Sequence, residues 1–467
     1  MKQFAKKSLV LFIALFFTAA LSAKTPKYIF YCIGDGMSFA HVMATQLFYE
    51  NGNYEDGNES LVFLDFPVRS AIRTYANNSL ITCSAAAGTA LATGHKTNLA
   101  HIGIGPDKQP LTSVAKQLRD KGYAIGIITS GQLDDATPAA FYAGQMRNDT
   151  YQIGKEGADS QFDFLAGSTL MKPFNRRDPS QPYIYDYYRQ KGYTVCRGPE
   201  GYNSQKNADK ILLVDTDTTL KKWLPYVIER EPGKLGLEFM VQAGIEKLYK
   251  KKNKKGFFMI EGASIDHASH PRDIATTIKE TIEFDRSVRL AYEFYKKHPD
   301  ETLIIVTADH ETGGLTIGET TTHPFNWEYV NYQKMSKESL SKLFQKMRET
   351  GEIDTWEKTK KILAENTGLW DKIPVNAGEE AQLMQCYYET IVKKSSKQEI
   401  TLYAKSEPLV ADAIALLNKK IGVGWTSFSH TGGFVPFYAI GCQARQFGAL
   451  NDNIEIPNTI RKIMKIK

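Results

Sequence analysis

An acid–histidine pair, Asp309-His310, stands one residue past the β-branched run Thr302–Thr307. That run reads as a buried strand, and ligand-type side chains at a strand's C-terminal end are where open α/β sheets place their sites. A second cluster lies upstream. Glu261-Gly262-Ala263-Ser264-Ile265-Asp266-His267-Ala268 follows the apolar run Gly256–Ile260, and His270 stands two positions further on. Asp266 and His270 are spaced i, i+4, so one helical turn or tight loop aims both at one ion. Carboxylates and imidazoles massed after two strands point to metal chemistry and to a sheet that can present it.

The rest of the chain agrees with such a sheet. Further strands are predicted at Tyr28–Ile33, Tyr123–Thr129 and Val435–Ile440. Helical patterns fall between them at about Phe39–Tyr49, Ala85–Thr93, Leu111–Lys121, Leu237–Tyr249 and Ile274–Tyr295. This alternation predicts an α/β fold, a mostly parallel central sheet with helices on both faces. Residues 23–467 read as one such domain with two insertions. One, at about 150–235, is rich in Tyr, Pro, Asp and Arg and reads as an excursion, either plain decoration or a stretch that overhangs the site. The other, at about 325–400, reads as the amphipathic helices Lys337–Arg348, Thr355–Glu365 and Ala377–Lys393.

The first 22 residues are not fold. Lys2, Lys6 and Lys7 precede an apolar stretch, Ser8–Leu21, and a small-residue cleavage site. This is the pattern of a secretory signal, so the protein is expected to be exported, periplasmic or secreted, with no membrane anchor after cleavage. Loss of those three lysines lowers the formal charge from +6 to +3. Near balance gives no electrostatic argument for nucleic acid. The lysine-rich run Lys250–Lys255 reads as a solvated helix end. Five cysteines without Cys-x-x-Cys spacing leave at least one unpaired.

Ser84 opens an alanine-rich helix closed by Gly94, a good residue just past a helix end. Taken alone, a serine there is an ordinary N-cap. Beside two metal-ligand clusters it becomes a nucleophile candidate, because a metal can activate its hydroxyl without a histidine base. No Gly-x-Ser-x-Gly surrounds it, which argues against a nucleophile elbow.

Six motifs then stand in one order over residues 33–432: Ile33-Gly34-Asp35-Gly36-Met37, the Ser84 helix, Asp134-Asp135-Ala136-Thr137-Pro138, Glu261–Asp266, Thr307–His310 and Ser429-His430-Thr431-Gly432. In this the chain resembles the alkaline phosphatase family of metal-dependent phosphate monoesterases. The resemblance implies two zinc ions and one magnesium ion. Asp266, His270 and His430 would hold one zinc; Asp35, Asp309 and His310 would hold the other, beside Ser84. Asp35, Asp135, Thr137 and Glu261 would hold magnesium. Ser84 would form a phosphoserine during hydrolysis of small-molecule phosphate monoesters, with Arg147 gripping the phosphate. The resemblance also allows a homodimer, since relatives are often dimers. His41, His95, His101, His298 and His323 are expected to be structural, and His267 to line the magnesium side or reach phosphate through water.

The chain departs from the family pattern at Cys83, where an acid usually precedes the nucleophile and orients the arginine. The expectation is an uncharged neighbour that leaves Arg147 more mobile; a nucleophilic role for Cys83 is the weaker alternative. Two rival functions remain. A phosphodiesterase or sulfatase of the same superfamily would lack the magnesium set, and a non-catalytic zinc or phosphate binder would have lost a ligand or the nucleophile.

Overall fold

The computed structural model describes residues 24–466 apart from 55, 220–221, 252–254, 319–324 and 395–397. The secretory signal, His323 and much of the lysine run therefore lie outside the described residues. Nine strands form one sheet: β1 Tyr28–Gly34, β2 Val68–Ile72, β3 Ala124–Thr129, β4 Phe164–Ala166, β5 Tyr193–Arg197, β6 Lys210–Val214, β7 Gly256–Gly262, β8 Thr302–Thr307 and β9 Val435–Gly441. Their order across the sheet is β2-β9-β8-β1-β7-β3-β4-β6-β5. Only β9 runs against the others.

Every residue of β1, β3, β7 and β8 is buried. Successive side chains of a strand point to opposite faces, so both faces of the sheet centre are covered. That is why these strands read as continuous apolar runs rather than alternating ones. The helices named below are α1 Phe39–Asn51, α2 Ser84–Thr93, α3 Leu237–Tyr249, α4 Ser264–Ser269 and α5 Ile274–Lys297. The long α5 packs on α1, α3 and α4 and on β7 and β8. Its start is set by Asp273, whose side chain accepts from Thr276 N.

The segment 150–235 differs from its expected form. It carries β4, β5 and β6, which complete one side of the sheet rather than leaving it. β4 has three residues and the other two have five each, too short to show a period in sequence. Part of the segment does turn toward the site: Leu224 N bonds to Ser130 O, just past β3.

The segment 325–400 is helical as expected. Ser336, Thr355 and Asn376 cap helices at Lys337–Thr350, Trp356–Thr367 and Ala377–Tyr387. The third helix stops short of the expected Lys393, passing into a π turn at Tyr388–Val392. A small hairpin follows, pairing Glu399–Ile400 with Lys405–Ser406. All five cysteines are free. No helix among the described residues is long and apolar enough to cross a membrane.

Candidate active site

Sheet register brings the two clusters together. Ile33 of β1 lies opposite Thr307 of β8 on one side and Glu261 of β7 on the other. Asp35, Asp309-His310 and Glu261 therefore leave three adjacent strands at the same level. Thr129 of β3 pairs with Glu261, and its hydroxyl donates to that carboxylate. From β7 the chain enters α4, which carries Asp266 and ends at His270.

Tight packing at the strand ends depends on Gly36. Its φ is 72°, a left-handed conformation that favours glycine. A Cβ there would stand 2.9 Å from Asp266 Oδ1. The Gly36 N–H donates to Asp309 Oδ1 at 3.1 Å, tying the backbone just past Asp35 to the Asp309 carboxylate.

The three histidines turn the same ring nitrogen inward. His270 Nδ1 donates to Phe428 O at 2.6 Å, and His430 Nδ1 donates to Thr82 O at 3.0 Å. A carbonyl can only accept, so Nε2 of each ring is left as a lone-pair donor for a cation. His310 Nδ1 lies 3.3 Å from the Thr312 hydroxyl, which itself donates to Asp266. His310 Nε2 lies 3.2 Å from Asp309, 3.4 Å from Asp35 and 3.1 Å from Ser84 Oγ.

Two compact groups of ligand atoms result: Asp35, Asp309 and His310, and Asp266, His310 and His430. The first is the set expected for one zinc. In the second, His310 stands where His270 was expected, although His270 Nε2 is only 3.5 Å from Asp266. The expected magnesium residues also converge. Thr137 reaches Asp309 at 3.4 Å, and Glu261 and Asp35 interact electrostatically. Asp135 has a further role, because its Oδ1 accepts from Ala136 N and from Arg147 Nη2 at 3.1 Å.

The donor set fits divalent cations. Asp35 Oδ1, Asp266 Oδ2, His270 Nε2 and His430 Nε2 are buried without a hydrogen-bond partner. Each such atom costs about 1–3 kcal/mol if left so. Burial pushes the Asp35 carboxyl well above its usual range, and Asp309, Asp266 and Glu261 push it further. Burial likewise raises Glu261 to about 8, with Asp135 and Asp309 adding to it, and Asp309 to about 7, with Asp266 adding. For Asp266 burial acts upward, but His270, His430 and His310 outweigh it and hold it low. Four buried carboxylates that repel one another are relieved by bound cations.

Ser84 is the first residue of α2 and is 2% exposed. The N-cap is Cys83, which makes no side-chain cap, so Ser84 does not serve as the ordinary cap considered above. Its hydroxyl faces the ligand group at the positive end of the helix. Arg147 is not loose. Its Nη2 donates to Asp135 and, at 3.4 Å, to the Tyr403 hydroxyl, while its backbone N donates to Ala100 O. Cys83 Sγ accepts from Ala100 N at 3.4 Å, so the thiol holds the segment that Arg147 leans on.

The other histidines divide as expected where they are described. His41 bonds Ser38 and Ser269, His101 bonds Gly105 O, His298 packs among aromatic rings and His95 is exposed. His267 is buried, its ring 4.1 Å from Trp223 and 4.4 Å from Tyr403. The sequence carries no signal for Trp223 or Tyr403, since neither sits in a motif. Thr312 had a signal, three residues past Asp309.

The family model described as "Alkaline phosphatase" matches residues 26–164 and 205–466. Alkaline phosphatase 4 of Bacillus subtilis is 30% identical over 443 residues, covering 93% of this chain and 87% of that protein. The crystal structure of a cold-active alkaline phosphatase from a psychrophilic Shewanella aligns at a TM-score of 0.74 and 26% identity, covering 94% of this chain and 99% of that one. The Thermus thermophilus alkaline phosphatase structure shares the fold at a TM-score of 0.77 and 23% identity, with 95% and 92% covered.

Proposed function

The chain belongs to the alkaline phosphatase family and is a phosphoric monoester hydrolase; from that premise we propose that it works through a phosphoserine at Ser84, with two zinc ions and one magnesium ion. The observation that carries this reading is Ser84 Oγ facing His310 Nε2 amid buried ligand atoms that have no partner. Asp266, His270 and His430 would hold one zinc. Asp35, Asp309 and His310 would hold the second, in keeping with the short distances around His310 Nε2. Asp35, Thr137, Glu261 and Asp135 would hold magnesium, all through oxygen as a hard cation prefers.

Bound there, the ions supply Lewis acidity to the serine hydroxyl, the phosphoryl oxygens and the leaving oxygen. Ser84 Oγ gives its proton to solvent water and attacks phosphorus in line. The P–O bond to the alcohol breaks, the departing oxygen takes a proton from solvent water, and Ser84 carries the phosphoryl group. Water then attacks phosphorus, the bond to Ser84 Oγ breaks, and inorganic phosphate leaves with the serine restored. Arg147 binds two non-bridging oxygens through its planar fork. Asp135 keeps that fork in place, and the N-terminus of α2 favours the developing negative charge.

Acid quenching during turnover of a labelled monoester, followed by peptide mapping, tests the covalent step. Label on Ser84 is expected; label on any other residue refutes the assignment. Monoester, diester and sulfate ester rates, compared on metal-loaded protein, separate this reading from the sister activities. Export belongs to the same reading and predicts a mature N-terminus near Ala23. A homodimer is read out by sedimentation.

A further inference from the structure

The hairpin between Glu399 and Ser406 brings Tyr403 to the site from outside every motif in the sequence. Its first strand is held by Lys337, whose Nζ bonds both Glu399 at 2.5 Å and Pro271 O at 2.8 Å, next to His270. Lys222 Nζ adds a bond to Tyr403 O at 3.3 Å. The Tyr403 ring stands edge-on to His267, His270 and Trp223, at 4.4, 5.0 and 5.6 Å between centroids. A ring packed on three sides fixes where its hydroxyl points. That hydroxyl lies 3.4 Å from Arg147 Nη2.

The chemistry of this contact is one-sided. A guanidinium only donates, so the phenol oxygen accepts from Arg147 and keeps its own proton. The proton must go to an acceptor, and the site's incoming acceptor is the phosphoryl group that Arg147 is placed to grip. We propose that Tyr403 is a phosphate-contacting residue: its O–H donates to a non-bridging oxygen of the bound phosphoryl group, next to the Arg147 fork. This rests on the phosphatase reading above and adds a third grip, after Arg147 and the α2 N-terminus, that comes from a separate part of the chain. The contact is to the phosphoryl group and not to the alcohol, so it acts alike on all monoesters and on inorganic phosphate.

Tyr403→Phe keeps the ring and removes only the hydroxyl. The experiment measures inorganic phosphate binding by calorimetry, phosphate inhibition, and kcat/KM for two monoesters with unlike leaving groups. It uses metal-loaded wild type, Tyr403→Phe and Tyr403→Ala. The expected result for Tyr403→Phe is phosphate binding weakened about tenfold, as for one hydrogen bond to a charged group, and an equal fall in kcat/KM for both esters. Unchanged phosphate binding overturns the proposal, as does a loss confined to one ester. A loss seen only in Tyr403→Ala shows that the ring and not the hydroxyl matters, and overturns it too. A wild type without monoesterase activity sinks the phosphatase reading together with this proposal. An active wild type with an unaltered Tyr403→Phe sinks this proposal alone.

Discussion

The floor of the site and its wall are built on different principles. The floor is made by Asp35, Glu261 and Asp309-His310, which leave three neighbouring strands at matched register. Their positions follow from backbone hydrogen bonding, and Asp266, Asp309 and His310 are wholly buried. The wall is made by Trp223, Arg147 and Tyr403, carried on a loop, a two-residue strand turn and a hairpin. These side chains are held by one another, by His267 and, for Arg147, by Asp135 rather than by the sheet. The contrast teaches that the ligand groups of the floor are placed by sheet register, while the groups that grip the substrate are placed by side-chain packing between loops.

The largest effect is expected from Ser84→Ala, which removes the hydroxyl that faces the floor from the start of α2. Turnover is expected to fall by on the order of 10⁴-fold or more, with zinc content by elemental analysis retained. A Ser84→Ala protein that still accumulates acid-stable phosphoenzyme would put the nucleophile elsewhere. Arg147→Ala, a wall substitution, is expected to cost about 10²-fold in kcat/KM while leaving metal content unchanged. Loss of zinc on that substitution would erase the distinction between the two regions.

Thr312→Val tests how far the floor depends on its supporting hydroxyls. Thr312 bonds Asp266 and lies against His310, so its loss is expected to weaken zinc binding by about 10-fold, read by competition with a chelating dye. An unchanged affinity would mean that sheet register alone orients the ligands.

The floor also predicts a pH dependence for chelator-stripped protein. Burial raises Glu261 to about 8 and Asp309 to about 7, above their values in an unfolded chain. The stability tied to their protonation is full at acid pH and is lost as pH rises through 7 and 8. His310 and His430 are lowered, chiefly by burial, and act in the opposite sense, but only below the ordinary imidazole value of about 6.5. The Tm of stripped protein should therefore fall between about pH 6.5 and 8.5. Zinc with magnesium should remove the part of that fall due to the floor. A stripped protein that gains stability across this interval contradicts the charge distribution of the floor.

The smallest effect is expected at Cys83. Sequence alone suggests that an uncharged residue here frees Arg147, but Asp135 and Tyr403 already tie the guanidinium. Cys83→Asp should therefore change the monoester-over-diester ratio by less than about threefold. A larger change that vanishes in Cys83→Asp/Arg147→Ala would show that Asp135 does not replace the missing acid.

The division between floor and wall is also the division between what could and could not be read beforehand. Asp35, Asp309 and His310 each follow a continuous apolar run, and a run buried on both faces announces a central parallel strand. Asp266 and His270 are legible because a helical turn brings i and i+4 together. The strands at 164–166, 193–197 and 210–214 were not legible, since runs of three to five residues carry no period. Their place in the sheet comes from pairing with one another and with β3.

The sequence by itself determined the α/β class, the order of the central elements and the residues that stand at strand ends, because periodicity and chain-local spacing are written in one dimension. Tertiary structure alone decided that Asp135 rather than residue 83 holds Arg147, that His310 lies within reach of both ligand groups, and that Tyr403 overhangs the site. Arg147 and Tyr403 are 256 positions apart, and their contact depends on how a hairpin tied to Pro271 by Lys337 settles over the sheet. No local pattern encodes such a meeting, since it is fixed by the packing of elements that have no period in common.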